Sequence, residues 1–321
     1  MTNKCDYLVI GAGSISKRHI ENIKALSNKA VIGNLSSSGR KIDLEESGAG
    51  VIFNNMEEAI AAKPDFVIVA SPSPFHIKHA LPFIERNIPI LIEKPVTDSL
   101  SNVEKEKEIL FKYKTNIEVA YNLRHSPAMI FFKNLIDSSF LGTMYSIQAE
   151  VGQYLADWRP SKNYRDTVSA NKNLGGGVLL ELSHELDYLT WIFGPFKDVF
   201  CSSRQSNHFD IDVEDNIDAI INCSSGVPIN LHMDFLQKEV KRTCKVLGKN
   251  GELIFDLKEN LIFFNSKEKK SNCVYKDESY KTNDMYLNMI KSFTGNKEDP
   301  ASVSASFDEG LYVVKIIEAM K

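Results

Sequence analysis

The chain contains no C-x-x-C pair, no dense basic run, and no apolar stretch near the roughly 20 residues that span a bilayer. Each absence removes a class of protein. The cysteines number five (Cys5, Cys201, Cys223, Cys244 and Cys273), an odd set that fits a reducing compartment and argues against a disulfide framework. Their spacing gives zinc no ligand set, and no metal is expected. Lys and Arg total 38 against 42 Asp and Glu, a net charge of -4, so no electrostatic footprint for nucleic acid exists. Anionic ligands must be held locally. The segment 1–10 carries only a short apolar run before a glycine turn, too little for a secretory h-region or an anchor. The expected location is cytoplasmic, without membrane contact.

What is present is enough for two ordered domains. At roughly 150 residues per domain, 321 residues suggest about two, and 43% apolar with 25% charged residues lets burial offset the entropy of ordering. Through the first 120 residues, short β-rich runs at Tyr7–Ile10, Ala30–Leu35, Phe66–Ala70, Ile90–Ile92 and Ile117–Tyr121 alternate with amphipathic helical stretches. That alternation predicts a parallel sheet with crossover helices over residues 1–121. Beyond it, in 122–321, the pattern changes. A helix is expected over about Val178–Ile192, followed by successive strands at Val213–Asn222, Val227–Phe235, Thr243–Leu247, Leu253–Asp256 and Leu261–Phe264. Asn250-Gly251 is a hairpin signal, and the whole reads as a large, mostly antiparallel open sheet. On that sheet Ile220, Ile229, Leu231 and Phe235 suit either a core or a subunit interface. Ser306 with Glu309 predicts a capping box at the last helix.

The first strand runs into Gly11-Ala12-Gly13-Ser14-Ile15-Ser16 and then a helix, the order a pyrophosphate site needs. Gly11 permits the tight turn, and Gly13 lets the backbone N–H groups near Ser14 and Ile15 approach phosphate. Ser16 stands where the fingerprint has its third glycine. An ordinary glycine turn is the competing reading. No acid lies between Glu21 and Asp43 to take a ribose 2′-hydroxyl; Ser36, Ser37, Ser38, Arg40 and Lys41 are there instead. Hydroxyls and cations suit a 2′-phosphate, which favours NADP over NAD, unless these residues form only a solvated loop.

Two further positions bear on chemistry. Ile90-Leu91-Ile92-Glu93-Lys94-Pro95 puts Lys94 just past a buried strand, at the edge where open α/β sheets bind ligands, although a lysine there can also be a surface terminator. Gly175-Gly176-Gly177 leads into a helix carrying Glu181, His184 and Asp187 at three-residue intervals. A histidine titrating near neutral pH accepts a proton from a sugar hydroxyl, and a carboxylate one turn away orients it. A helix-face histidine held by Asp187 fits the spacing equally well.

Gly11-Ala12-Gly13 with His19 behind it, Glu93-Lys94-Pro95, Tyr121-Asn122-Leu123-Arg124, and the glycine triplet leading to His184 and Asp187 together resemble the Gfo/Idh/MocA family of glucose-fructose oxidoreductase and inositol dehydrogenase. The resemblance runs to Ser302-Val303 and Glu309-Gly310-Leu311. It implies a Rossmann domain, then an α/β domain whose open sheet mediates homodimers or homotetramers. It also implies hydride exchange between a nicotinamide and a sugar or cyclitol carbon, with Lys94 polarising the hydroxyl and His184 as base. Ser71, Pro72 and His76 resemble the family's cofactor loop, and Asn122 resembles a family cofactor or substrate contact; Glu93 is a further expected cofactor contact. The family's usual Asp-x-Gly-x-His is replaced by Glu181-Leu182-Ser183-His184, one residue shorter. Tyr154, Trp158 and Arg159 combine aromatic faces with a cation, suited to sugar stacking and to phosphate or carboxylate recognition, or else to a packed loop. With the variant helix motif, they resemble family members acting on phosphorylated or nucleotide-linked sugars of surface polysaccharides. A dinucleotide-binding regulator or scaffold, or a redox-assisted epimerase or lyase, would carry the same motifs.

Overall fold

The structure, a computed structural model, describes residues 4–268, 271–295 and 303–321; Ser302 of the resemblance lies outside them. The chain divides into two compact units, one of Met1–His125 with Thr282–Val314, the other of Ser126–Lys281 with Lys315–Lys321. The first unit thus extends four residues past the expected boundary at residue 121 and takes back a late segment.

In the first unit, strands β1 (Tyr7–Ile10), β2 (Ile32–Leu35), β3 (Val51–Phe53), β4 (Phe66–Val69), β5 (Ile90–Ile92) and β6 (Ile117–Val119) lie in the order β6-β5-β4-β1-β2-β3, all parallel. A short strand, Ala305–Ser306, adds antiparallel to β6. Leu8, Val9 and Ile10 of β1, and the apolar runs of β4 and β5, are buried, as a parallel sheet covered on both faces requires. Strand order reverses on either side of β1, which places the ligand crevice of such a sheet at the carboxyl ends of β1 and β4. β3, of three residues, is not among the strands read from the sequence.

The returning helix Asp284–Thr294 belongs to this unit because Met289, Ile290 and Phe293 enter one core cluster with Val9, Ile20 and Ile23. Each such fully buried side chain contributes about 1.5–3 kcal/mol. The helix start is tied to helix Ser14–Leu26 by Asn283 Nδ2 donating to Asn22 Oδ1 at 2.7 Å. The expected capping box forms: Ser306 N–H donates to Glu309 Oε2 at 2.8 Å and Glu309 N–H to Ser306 Oγ at 3.3 Å.

The second unit is built on β7 (Met144–Gly152), β8 (Phe196–Arg204), β9 (Asn216–Cys223), β10 (Pro228–Asp234), β11 (Lys241–Gly248), β12 (Gly251–Asp256), β13 (Leu261–Asn265) and β14 (Asn272–Tyr275). Their order is β14-β13-β12-β11-β7-β10-β9-β8, antiparallel except for β10 beside β7. The β11–β12 hairpin turns at Lys249-Asn250, one residue before the expected Asn250-Gly251; Gly251 opens β12 at φ +149, where a Cβ would strike Asn265 O. One face is apolar: Ile217, Ala219 and Ile221 of β9 lie across from Met233, Leu231 and Ile229 of β10, all buried. Phe132 of helix Pro127–Asp137 covers this face at Phe255, with ring centres 5.3 Å apart. The opposite face is open, and Phe200 (65% exposed) and Ile220 (53%) project from it. Ile220 is therefore separated from Ile229, Leu231 and Phe235, with which it was grouped by sequence. The expected continuous helix over Val178–Ile192 is instead two, Val178–Glu181 and His184–Phe193, separated at Leu182-Ser183.

Candidate functional site

In the first unit, the dinucleotide turn joins β1 to helix Ser14–Leu26. Gly11 has φ +136, and a Cβ there would collide with Ala70 O at the end of β4, so only glycine fits. Gly13, the residue ahead of the helix, has open space where a Cβ would stand. The helix of 13 residues has neither a side-chain cap nor an acid in its first turn. Its leading N–H groups, beside exposed Gly13 and Ser14 and half-buried Ile15, therefore face an opening of favourable potential for an anion. Ser16, in the third glycine position, is buried with Oγ 3.4 Å from Ala70 O, so it keeps the helix close to the sheet.

At the end of β2, buried Asn34 donates from Nδ2 to Val9 O at 2.7 Å and to Gly11 O at 2.8 Å, while Ser47 Oγ donates to its Oδ1 at 2.8 Å. Asn34 braces the turn and offers nothing outward; sequence reading did not single it out. The groups beyond it are Ser36 and Ser37, half-buried, and Arg40, exposed. Arg40 is gripped at both ends of the Glu46 carboxylate, at 3.0 and 2.6 Å, and lies 3.4 Å from Ala12 O of the glycine turn.

The loops after β4 and β5 carry Ser71, Pro72, His76, Glu93 and Lys94. His76 is buried, with Nε2 2.7 Å from Ser71 O and Nδ1 2.9 Å from Pro95 O. Burial pushes its pKa down, against the pull of the two carbonyls. A neutral ring has one N–H, so it donates to one of these two carbonyls and links the loops after β4 and β5. Glu93, expected beside the cofactor, has partners for both carboxylate oxygens within the protein. Its Oε1 takes His19 Nε2–H at 2.7 Å and its Oε2 takes the Lys94 N–H at 3.2 Å. Burial raises the Glu93 pKa, but His19, Lys94 and His76 together bring it below the ordinary value. Lys94, half-buried, follows with a cis peptide to Pro95. Asn122, past β6, is buried with an Oδ1 that has no donor among the described residues. Arg124 is buried on Glu309, Nη1 to Oε1 at 2.7 Å, and so serves the fold. Gly11, Gly13, Ser36, Ser71, Lys94 and Asn122 thus gather along the carboxyl edge of one parallel sheet.

In the second unit, the glycine triplet is crowded. A Cβ on Gly176 would meet Val168 O, and one on Gly177, at φ +103, would meet the Glu214 carboxylate. Glu214 Oε1 accepts the Leu179 N–H at 3.2 Å, and burial pushes this carboxyl above its usual range. Glu214 was not foreseen, since its partners stand 35 residues away in sequence. Glu181 ends the first short helix, with Oε2 accepting from Ser169 Oγ at 3.0 Å. His184, half-buried, opens the second, and Asp187 is fully buried one turn on. The break means Glu181 and His184 do not share one helix face, whereas His184 and Asp187 do. Beside them Glu185, fully buried, holds Arg242 at 2.7 and 3.0 Å. In the preceding loop, the Tyr154 hydroxyl meets His208 Nε2 at 2.9 Å, and the Lys238 amine lies over the Tyr154 ring. Trp158 donates Nε1–H to Gln153 O at 3.2 Å and stands edge-on to Phe235; Arg159 beside it is half-buried.

Two family models match the chain: residues 5–121 match the oxidoreductase family with an NAD-binding Rossmann fold, and residues 130–254 match the GFO/IDH/MocA C-terminal domain. The chain belongs to the Gfo/Idh/MocA family, as its motifs imply. It is 26% identical over 186 residues to glucose-6-phosphate 3-dehydrogenase of Bacillus subtilis (58% of this chain, 53% of that protein). To inositol 2-dehydrogenase of Corynebacterium glutamicum it is 28% identical over 196 residues, with the same two shares. The match thus spans about half the length of these relatives. Levoglucosan dehydrogenase in complex with NADH and L-sorbose superposes with a TM-score of 0.85 at 17% identity, covering 99% of this chain and 96% of that one, a likeness of fold.

Proposed function

We propose that this protein is an NAD(P)-dependent oxidoreductase acting on a CH–OH group of a sugar or cyclitol. One observation carries the reading: an uncapped helix N-terminus behind a Gly11 turn that only glycine can make, with Lys94 on a neighbouring loop of the same sheet edge. The residues fit a dinucleotide. Gly11, Gly13, Ser14 and Ile15 would hold the pyrophosphate through backbone N–H groups, with Ser71 and Pro72 beside them and Asn122 Oδ1 offering an acceptor to a carboxamide. When bound, the nicotinamide supplies the hydride acceptor or donor. Lys94 would polarise the substrate hydroxyl, and His184 would take its proton or return it, oriented by Asp187. Glu181, held by Ser169, stands next to this pair in the chain. Tyr154, Trp158 and Arg159 would receive the substrate. Their aromatic faces and cation, together with a phosphorylated sugar named for one relative, support a phosphorylated or nucleotide-linked substrate.

For the cofactor we favour NADP over NAD. Asn34 is committed to the backbone, which leaves Ser36, Ser37 and Arg40 to meet the 2′ position. A 2′-phosphate would take Arg40 from Glu46, an exchange that costs little because that ion pair is exposed. A second copy of the chain on the open sheet face is our proposal for oligomerisation, supported by exposed Phe200 and Ile220 around a trough of about 840 Å³. The five free cysteines support a cytoplasmic location. The reading is tested by titrating the protein with NADPH and NADH by fluorescence, then screening sugars, sugar phosphates and nucleotide sugars for cofactor turnover. We expect binding of both, NADPH tighter, and turnover with one sugar class. Tight binding without turnover on any of them would instead favour a regulator, and product without net cofactor change an epimerase or lyase.

A further inference from the structure

Helix Ser14–Leu26 carries His19 fully buried on its sheet-facing side, between Ser16 and the apolar Ile20 and Ile23. Its Nδ1 has no hydrogen-bond partner among the described residues, so the ring is desolvated for one polar contact alone, Nε2–H to Glu93 Oε1 at 2.7 Å. An apolar residue would fill the same space without burying an unpaired nitrogen. Glu93 in turn is 8% exposed, and its second oxygen accepts the backbone N–H of Lys94 at 3.2 Å. Across the same loop, His76 Nδ1 lies 2.9 Å from Pro95 O. The segment 93–95 is thereby gripped from two helices, and one of those helices is the one whose N-terminus faces the pyrophosphate position.

We infer that His19 and Glu93 form a positioning pair that couples the dinucleotide turn to Lys94, so that seating the helix against an anion and fixing the lysine loop are one event. The inference rests on the dinucleotide reading above. An ionised carboxylate only accepts, so the shared proton sits on His19 Nε2 and the pair has a fixed direction. Hydrogen bonds to a charged partner are the strong ones, and this one is buried.

The test uses the full-length protein and three variants, with NADPH affinity by fluorescence and acetylation of the Lys94 amine by acetic anhydride, read by peptide mass against Lys245 as internal control. His19→Leu is expected to weaken NADPH binding about tenfold or more, the loss that goes with one charge-assisted hydrogen bond, and to change the Lys94 acetylation rate at least about threefold. His19→Gln places an amide donor near the same point and is expected to stay within about threefold of the parent on both readouts. Should His19→Leu fail to fold, Glu93→Gln, which keeps an acceptor but loses its charge, is expected to lower affinity by about three- to tenfold. A folded His19→Leu that binds NADPH and acetylates as the parent does would overturn the pair, as would equal losses in His19→Leu and His19→Gln, or an unchanged Glu93→Gln. Failure of the parent to bind either dinucleotide would overturn the functional reading and this inference together, a result distinct from a binding parent with indifferent variants.

Discussion

Three histidines of the first unit and one of the second are shifted in opposite directions. In the first, burial pushes His79 and His125 down to about 4 and drives His76 down as well. In the second, His232 is raised to about 9 by hydrogen bonds to Asp234 and Asp218, which outweigh its partial burial. The partners of each ring explain the difference. In the first unit the shifted rings are buried without a carboxylate bonded to them, so a protonated ring is costly, while buried Glu93 stays ionised because His19 and the Lys94 N–H donate to it. The half-open antiparallel sheet keeps a solvated face, on which a carboxylate on either side stabilises an imidazolium. The proposed pyrophosphate site of the first unit uses backbone N–H groups, whereas the open face of the second carries the charged cluster of His232, Asp218 and Asp234.

Two substitutions sharpen that division. In His184→Ala we expect turnover to fall by about 10²–10⁴-fold, the scale of a lost general base. NADPH affinity should move less than about twofold, since its backbone donors lie in the other unit. A drop in affinity as large as the drop in rate would erase the distinction between binding in one unit and proton transfer from the other. Arg40→Ala probes the first unit alone. The Michaelis constant for NADPH should rise about tenfold with that for NADH nearly unchanged, while Glu46→Gln, which frees Arg40, should tighten NADPH. Equal effects on both cofactors would mean that Arg40 is no more than Glu46's surface partner.

The parallel sheet and its glycine turn were legible because local signals agree with the fold: apolar runs, short connections and a turn that demands Gly11. Family membership followed from motif order along the chain. Three kinds of feature were not legible. Edge strands β8 and β14 carry lysine, serine and asparagine without clean alternation, because one side of an edge faces water. The break at Leu182-Ser183 is hidden in an apolar stretch that continues the helical period, so the sequence suggested one face for Glu181 and His184 where the chain makes two helices. Long-range polar pairs leave no local trace either. Asn34 bracing Gly11, Glu214 beneath Gly177, and the use of both Glu93 oxygens inside the protein all depend on contacts set by tertiary packing.

The smallest expected effect tests the comparison most directly. His232 has a folded pKa of about 9 against an ordinary value of 6.5, so its protonated form contributes stability that is fully present below pH 6.5 and is lost as the pH rises through 9. The ring is 33% exposed, so solvent screening reduces that contribution, to on the order of 1 kcal/mol. His232→Gln should therefore lower the melting temperature by about 2 °C or less near pH 6, and the gap from the parent should close toward pH 10. For His79 and His125 the sign reverses. The unfolded chain binds protons below pH 6.5 that the folded first unit refuses until about 4, so stability there falls as the pH drops across that window. Hydrogen exchange resolved by segment should show protection weakening first in the parallel sheet on acidification, and around β9 and β10 on the alkaline side. A His232→Gln gap that persists at pH 10 would mean the contact between β9 and β10 depends on ring packing, and the contrast between neutral rings and a charged one would not hold.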